Sequence, residues 1–122
     1  MPASRKQIGT LGEKLALEHL RKRGYHIVET NFRCREGEID IIAQDKDYLV
    51  FVEVRTRRGS SFGTPEESVT AAKKEKLTSL AFAYLQTHRH SPPLWRFDVV
   101  AVELDQEGQT SRIELIQNAI VE

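Results

Sequence analysis

A single cysteine, Cys34, leaves no partner for an internal disulfide and no set of thiolates for a structural zinc site. It reads as a structural or bystander thiol. The four histidines stand at 19, 26, 88 and 90 without ligand spacing on a common face, which argues against zinc. No apolar run approaches the ~20 residues that cross a bilayer, and the opening MPASRKQIG lacks the apolar block of a secretory signal. The expected location is the cytoplasm, with no membrane partner. Net charge is also lacking, since 18 Lys and Arg balance 18 Asp and Glu. Composition alone therefore gives no argument for a polyanionic partner. Repeats, low-complexity tracts and linkers are missing as well. The 122 residues read as one domain, 1–122, large enough for a sheet covered by helices.

What charge there is sits unevenly. Lys and Arg outnumber Asp and Glu by 12 to 9 over residues 1–60 and are outnumbered 9 to 6 over the rest. Basic residues cluster at 21–23, 33–35, 55–58 and 73–76. Arg33, Arg35, Arg57, Arg58, Lys74 and Lys76 are the candidate nucleic-acid contacts among them, and a solvated surface is the equal alternative.

Ser4 to Arg23 has the marks of an amphipathic helix, with Ile8, Leu11, Leu15 and Leu20 near helical spacing and Gly24 as a stop. Two capping boxes compete for its start, Ser4-x-x-Gln7 and Thr10-x-x-Glu13, and the second would give Glu13 a purely structural task. Gly9 and Gly12 each weaken a helix by roughly 1 kcal/mol relative to alanine. Slack at a frayed end accounts for them, or else close approach by another backbone or a phosphate. Tyr25 to Phe32 reads as a first strand, followed by a hairpin. After Arg55 the sequence TRRGSSFGTPEES predicts a mobile loop carrying Arg57 and Arg58, with a helical turn conceivable at Thr64 to Glu67.

A second helix is predicted over about Thr70 to His88, burying Leu77, Leu80, Ala81, Tyr84 and Leu85. Lys73 falls on its inward face, where a lysine either snorkels to solvent or points into a polar site. Ser91-Pro92-Pro93 breaks this helix. Trp95 to Leu104 then reads as a buried strand, parallel to the third, and Arg112 to Ile116 as an edge strand. Asp98 is expected to pair with a backbone amide or an arginine rather than with the acids below.

The hairpin, Gly37 to Arg58, poses the chemical question. Its arms are rich in Ile, Val and Phe, yet Asp40 and Glu53 interrupt them. A turn at Lys46-Asp47 sets Asp40 opposite Glu53 and Glu38 opposite Arg55, with Asp40, Glu53 and Arg55 on one face. Two ionised carboxylates about 5 Å apart repel by roughly 3 kcal/mol at an effective dielectric of about 20, so a cation, a shared proton or a basic neighbour must compensate. Oxygen ligands of this kind suit Mg²⁺ or Mn²⁺, which polarise a phosphodiester and lower the pKa of a bound water. In that reading Asp40 and Glu53 hold the metal, the Val54 carbonyl and Glu13 complete its shell, and Arg55 neutralises the attacked phosphate.

The spacing D-x12-E-x-R, with an upstream Glu, resembles the PD-(D/E)XK nuclease superfamily, in particular archaeal Holliday-junction resolvases. The segments GTLGEKLALEHLRKRGYHIVETNFR, GEIDIIA, FVEVRTR, SVTAAKKEKL and RFDVVAV resemble the endonuclease-like YraN family of bacteria more closely still. The resemblance implies a restriction-endonuclease-like α/β fold, a three-layer α/β/α sandwich whose mixed five-stranded sheet runs in the order 1-2-3-4-5. It implies catalytic positions at Glu13, Asp40, Glu53, Arg55 and Lys73, with a Mg²⁺ or Mn²⁺ cofactor on structured or branched DNA. It also implies a homodimer. Arg55 replaces the motif's usual lysine, and arginine stabilises anions but does not shuttle protons. A non-catalytic nucleic-acid-binding module that kept the fold is the alternative.

Overall fold

A computed structural model describes residues 4–59, 63–88 and 94–119. The element order is α1 (Arg5–Lys22), β1 (His26–Cys34), β2 (Gly37–Asp45), β3 (Tyr48–Arg58), a short 3-10 turn (Glu66–Ser68), α2 (Ala71–Thr87), β4 (Leu94–Leu104) and β5 (Thr110–Ile116). The Ser91-Pro92-Pro93 break lies outside the described residues. One mixed five-stranded sheet runs β1-β2-β3-β4-β5, antiparallel except for the parallel β3–β4 pair, as expected.

The helices cover opposite faces of this sheet. Ala16 and Leu20 of α1 pack with Ile41, Ala43, Val50, Val52, Val100 and Val102. Leu77, Leu80, Ala81 and Tyr84 of α2 pack with Ile39, Ile42, Leu49, Phe51 and Phe97. Successive residues of β3 alternate between these layers, the sign of a strand buried on both sides. Continuing the alternation puts Glu53 and Arg55 on the α2 side.

Ser4 decides where α1 begins. Its hydroxyl accepts the Gln7 N–H and the Gln7 amide oxygen accepts the Ser4 N–H, closing the earlier of the two candidate boxes. Glu13 is thereby left inside the helix rather than at its cap. Gly12 permits the closest approach of α1 to the sheet: a Cβ there would stand 1.9 Å from Thr56 Oγ1. After the 3-10 turn the chain reaches Thr70, whose hydroxyl accepts the Lys73 N–H and caps α2.

Three expectations are corrected. β3 does not yield to a loop after Arg55, because the parallel ladder with β4 continues through Arg57–Glu103 and Arg58–Leu104. A backbone partner on β4 outweighs the polar composition that predicts a loop. Glu38 does not face Arg55: its partner is Arg33 on β1, at 3.2 Å between side chains. Finally, the strand alternation fails near Asp40, since Ile39 joins Ile42 in the α2 layer while Ile41 lies in the α1 layer. Across from this break, between the Thr30–Ile41 and Phe32–Ile39 pairs, Asn31 takes a left-handed φ of 54°.

Candidate functional site

The β2–β3 ladder follows the predicted register from Asp45–Tyr48 to Ile41–Val52, around a turn at Lys46-Asp47, and the paired register stops there. Asp40 and Glu53 stand just beyond it. Where the ladder ends, Asp40 Oδ2 accepts the Val54 N–H at 2.9 Å. A side chain thus satisfies a strand amide that regular pairing would have served, and the opened seam becomes the floor of a cleft of about 930 Å³.

Three elements bring carboxylates to this floor. Glu13 arrives from α1, Glu38 and Asp40 from β2, and Glu53 from β3. One oxygen each of Glu13, Glu38 and Asp40 lies within 4.8 Å of the others. Glu53 is only 5% exposed. Burial, then the Asp40 charge, push Glu53 up to about 7 against the opposing pull of Lys73. Burial likewise raises Asp40, although the Val54 N–H it accepts resists the rise. Glu13 is raised by burial and by the Asp40 and Glu38 charges.

The cationic side of the cleft comes from α2 and β3, with Arg5 added by α1. Lys73 Nζ stands 3.5 Å from Glu53 Oε2, so of its two expected orientations it takes the inward one. Lys76, one turn on, lies across Gly37, where a Cβ would meet its Cε at 3.0 Å; Gly37 itself adopts φ 140°. Arg55 donates from NH2 to the Ser68 carbonyl at 2.9 Å, and its Nε is buried without a partner among the described residues. The same 3-10 turn is held from the other side, since Arg112 of β5 makes two hydrogen bonds to Glu66, at 2.7 and 3.0 Å. Two arginines thereby fix the segment that leads into α2 and Lys73.

Among the sequence-derived candidates, Glu13, Asp40, Glu53, Val54, Arg55, Lys73, Arg57, Arg58 and Lys76 line one cleft. Arg33, Arg35 and Lys74 do not line it; Arg33 is paired with Glu38 and Lys74 is exposed on α2. Arg58 is engaged with the Gln106 carbonyl. Glu38 and Arg5 were missed. Glu38 carried a signal, its place two residues before Asp40, but the expected register turned it toward Arg55. Asp98 lies elsewhere. It is fully buried and accepts from Tyr25 Oη at 2.7 Å, Arg96 Nε at 3.0 Å and the Asn118 N–H at 2.9 Å, the pairing expected for it.

The model of the Uncharacterised protein family UPF0102 matches residues 12–102, three-quarters of the chain and all of the acidic residues of the cleft. The chain belongs to the UPF0102 family. These are the YraN-like sequences whose wording it shares. A UPF0102 protein of Dehalococcoides mccartyi is 50% identical over 122 residues, covering 100% of this chain and 99% of the relative. One from Symbiobacterium thermophilum is 53% identical over 114 residues, covering 93% and 96%. One from Pelotomaculum thermopropionicum is 44% identical over 119 residues, covering 98% and 99%. Among the described residues no helix is long and apolar enough to cross a membrane.

Proposed function

We propose that this UPF0102 protein is a metal-dependent endonuclease that hydrolyses phosphodiester bonds in DNA, with structured or branched DNA as its substrate and the cytoplasm as its place of action. The observation that carries this reading is the meeting of Glu13, Asp40 and Glu53 from three elements beside Lys73. The resemblance to PD-(D/E)XK nucleases supports it. The donor set is all oxygen, and burial first, with repulsion between neighbouring carboxylates behind it, raises the Glu53, Asp40 and Glu13 carboxyls. That chemistry fits Mg²⁺ or Mn²⁺ and not a soft metal.

Asp40, Glu53, Glu13 and the Val54 carbonyl would hold the ion, with a Glu38 oxygen within 4.8 Å of those of Glu13 and Asp40. Bound there, a divalent cation supplies Lewis acidity and an acidified water. The remaining work falls to the chain. Lys73 is the proton-transferring and phosphate-facing cation, because arginine at 55 does not lose its proton and one of its amino groups is committed to Ser68. Arg57, Arg58 and Lys76 along the cleft meet flanking phosphates. A homodimer would present two such clefts to two strands.

The test is cleavage of flap, four-way junction, nicked and single-stranded DNA in Mg²⁺ and in Mn²⁺. Activity above that of an Asp40→Ala, Glu53→Ala double variant is expected, and none above it would refute the reading.

The commitment of Arg55 to the Ser68 carbonyl favours a second reading, a nucleic-acid-binding module without catalysis. Its mark is salt-dependent DNA binding that neither metal nor Asp40→Ala alters.

A further inference from the structure

Two glycines interrupt the first half of α1, and the fold accounts for only one of them. Gly12 is required by Thr56, which leaves no space for a Cβ. At Gly9 an added Cβ would meet nothing within 4 Å among the described residues, and the residue is not among the glycines with positive φ. Neither packing against the described residues nor backbone conformation asks for glycine here. An alanine would strengthen the helix.

Gly9 nevertheless lines the cleft, together with Arg5 one turn before it and Glu13 one turn after. Residues four apart share a helix face and are separated by about 6 Å along the axis. That is close to the separation of neighbouring phosphates on an extended strand. The α1 wall therefore presents a guanidinium, a bare patch of backbone and a carboxylate, in that order, toward the acidic floor.

Resting on the nucleic-acid reading above, we infer that Gly9 is the crossing point of the substrate strand over α1. The sugar-phosphate backbone lies directly against the helix at Gly9, with one phosphate on Arg5 and the next directed to the acids. The bare surface sets how deeply the strand sits, and so whether its phosphodiester reaches the floor. Any side chain at position 9 lifts the strand from the helix by the thickness of that side chain.

The experiment compares Gly9→Ala, Gly9→Gln and Lys14→Gln with the wild type; Lys14 is exposed on α1 outside the cleft. Thermal melts and fluorescence anisotropy with labelled single-stranded and four-way-junction oligonucleotides at low salt are the readouts. Gly9→Ala should raise the melting temperature by roughly 3–6 °C. Gly9→Gln should keep the fold yet weaken binding tenfold or more, and Lys14→Gln should shift it far less. Gly9→Gln binding no weaker than Lys14→Gln would overturn the inference while leaving the nucleic-acid reading intact. A lower melting temperature for Gly9→Ala would also overturn it, because the fold would then need this glycine. Absence of binding by the wild type to both oligonucleotides would sink both readings together.

Discussion

Thr56 Oγ1 lies where the Cβ of any residue other than glycine at position 12 would have to be, 1.9 Å away. The contact sets the distance between α1 and β3, and Glu13 is the next residue along the helix. Gly12→Ala should therefore lose about 1–3 kcal/mol despite its better helix propensity, because backbone must move to relieve the overlap. Adding Thr56→Ala should recover part of that loss. Urea denaturation of the two single variants and the double variant measures the coupling.

Glu53 ties stability to pH. Its carboxyl titrates near 7 in the folded chain, above its ordinary 4.5, so the native state keeps a proton that the unfolded chain has released. Stability should be highest below about pH 4.5 as far as this group is concerned, and fall by about 3 kcal/mol as pH rises through 7. Glu53→Gln should flatten that slope. Denaturant midpoints between pH 5 and pH 8 without divalent ions are the measurement, and Mn²⁺ at the alkaline end should restore the wild type but not the variant.

Lys73 is the one amine in ion-pair contact with the acids among the described residues. On the nuclease reading, Lys73→Met should lower cleavage by about 100-fold or more, the usual scale of general acid–base assistance. DNA affinity should change far less. Single-turnover rates and anisotropy separate the two, and an equal loss in both would assign Lys73 to binding.

Asp98 is fully buried and tied to Arg96, Tyr25 and the Asn118 amide. Asp98→Ala leaves Arg96 paired with Asp45 alone and deprives the Tyr25 hydroxyl and the Asn118 amide of their acceptor, and should cost about 1–3 kcal/mol. Thermal unfolding tests this, with metal binding in the cleft expected to be retained wherever the variant is folded.

The turn at Lys46-Asp47, the register from it to Ile41–Val52 and the buried face of α2 were legible in the sequence, since each follows from local alternation and turn chemistry, whereas on α1 the expected Leu11 is exposed and the small Ala16 is buried with Leu20. Asp40, Glu53 and Lys73 were legible as polar residues in apolar settings. The break at Asp40 was not: it lies across the sheet from the left-handed Asn31, and short-range patterning carries no information about a neighbour's φ. Arg57 and Arg58 read as loop because the β4 ladder that keeps them extended lies about forty residues on. Arg5 reaches the cleft only once Gly12 has set α1 against Thr56, a tertiary contact that no periodicity announces, and Glu38 was misplaced because the β2–β3 ladder stops short of it and it pairs with Arg33 instead.

The bond pair between Arg112 and Glu66 makes the outermost strand part of the foundation of the cleft. β5 contributes nothing to the acidic floor, yet it is moored to the short turn from which α2 and its lysine depart. The far edge of the sheet is therefore a remote handle on the spacing between amine and carboxylate. A ligand or substitution that displaced β5 would reach the acids by moving their counter-charge, without touching the acids themselves.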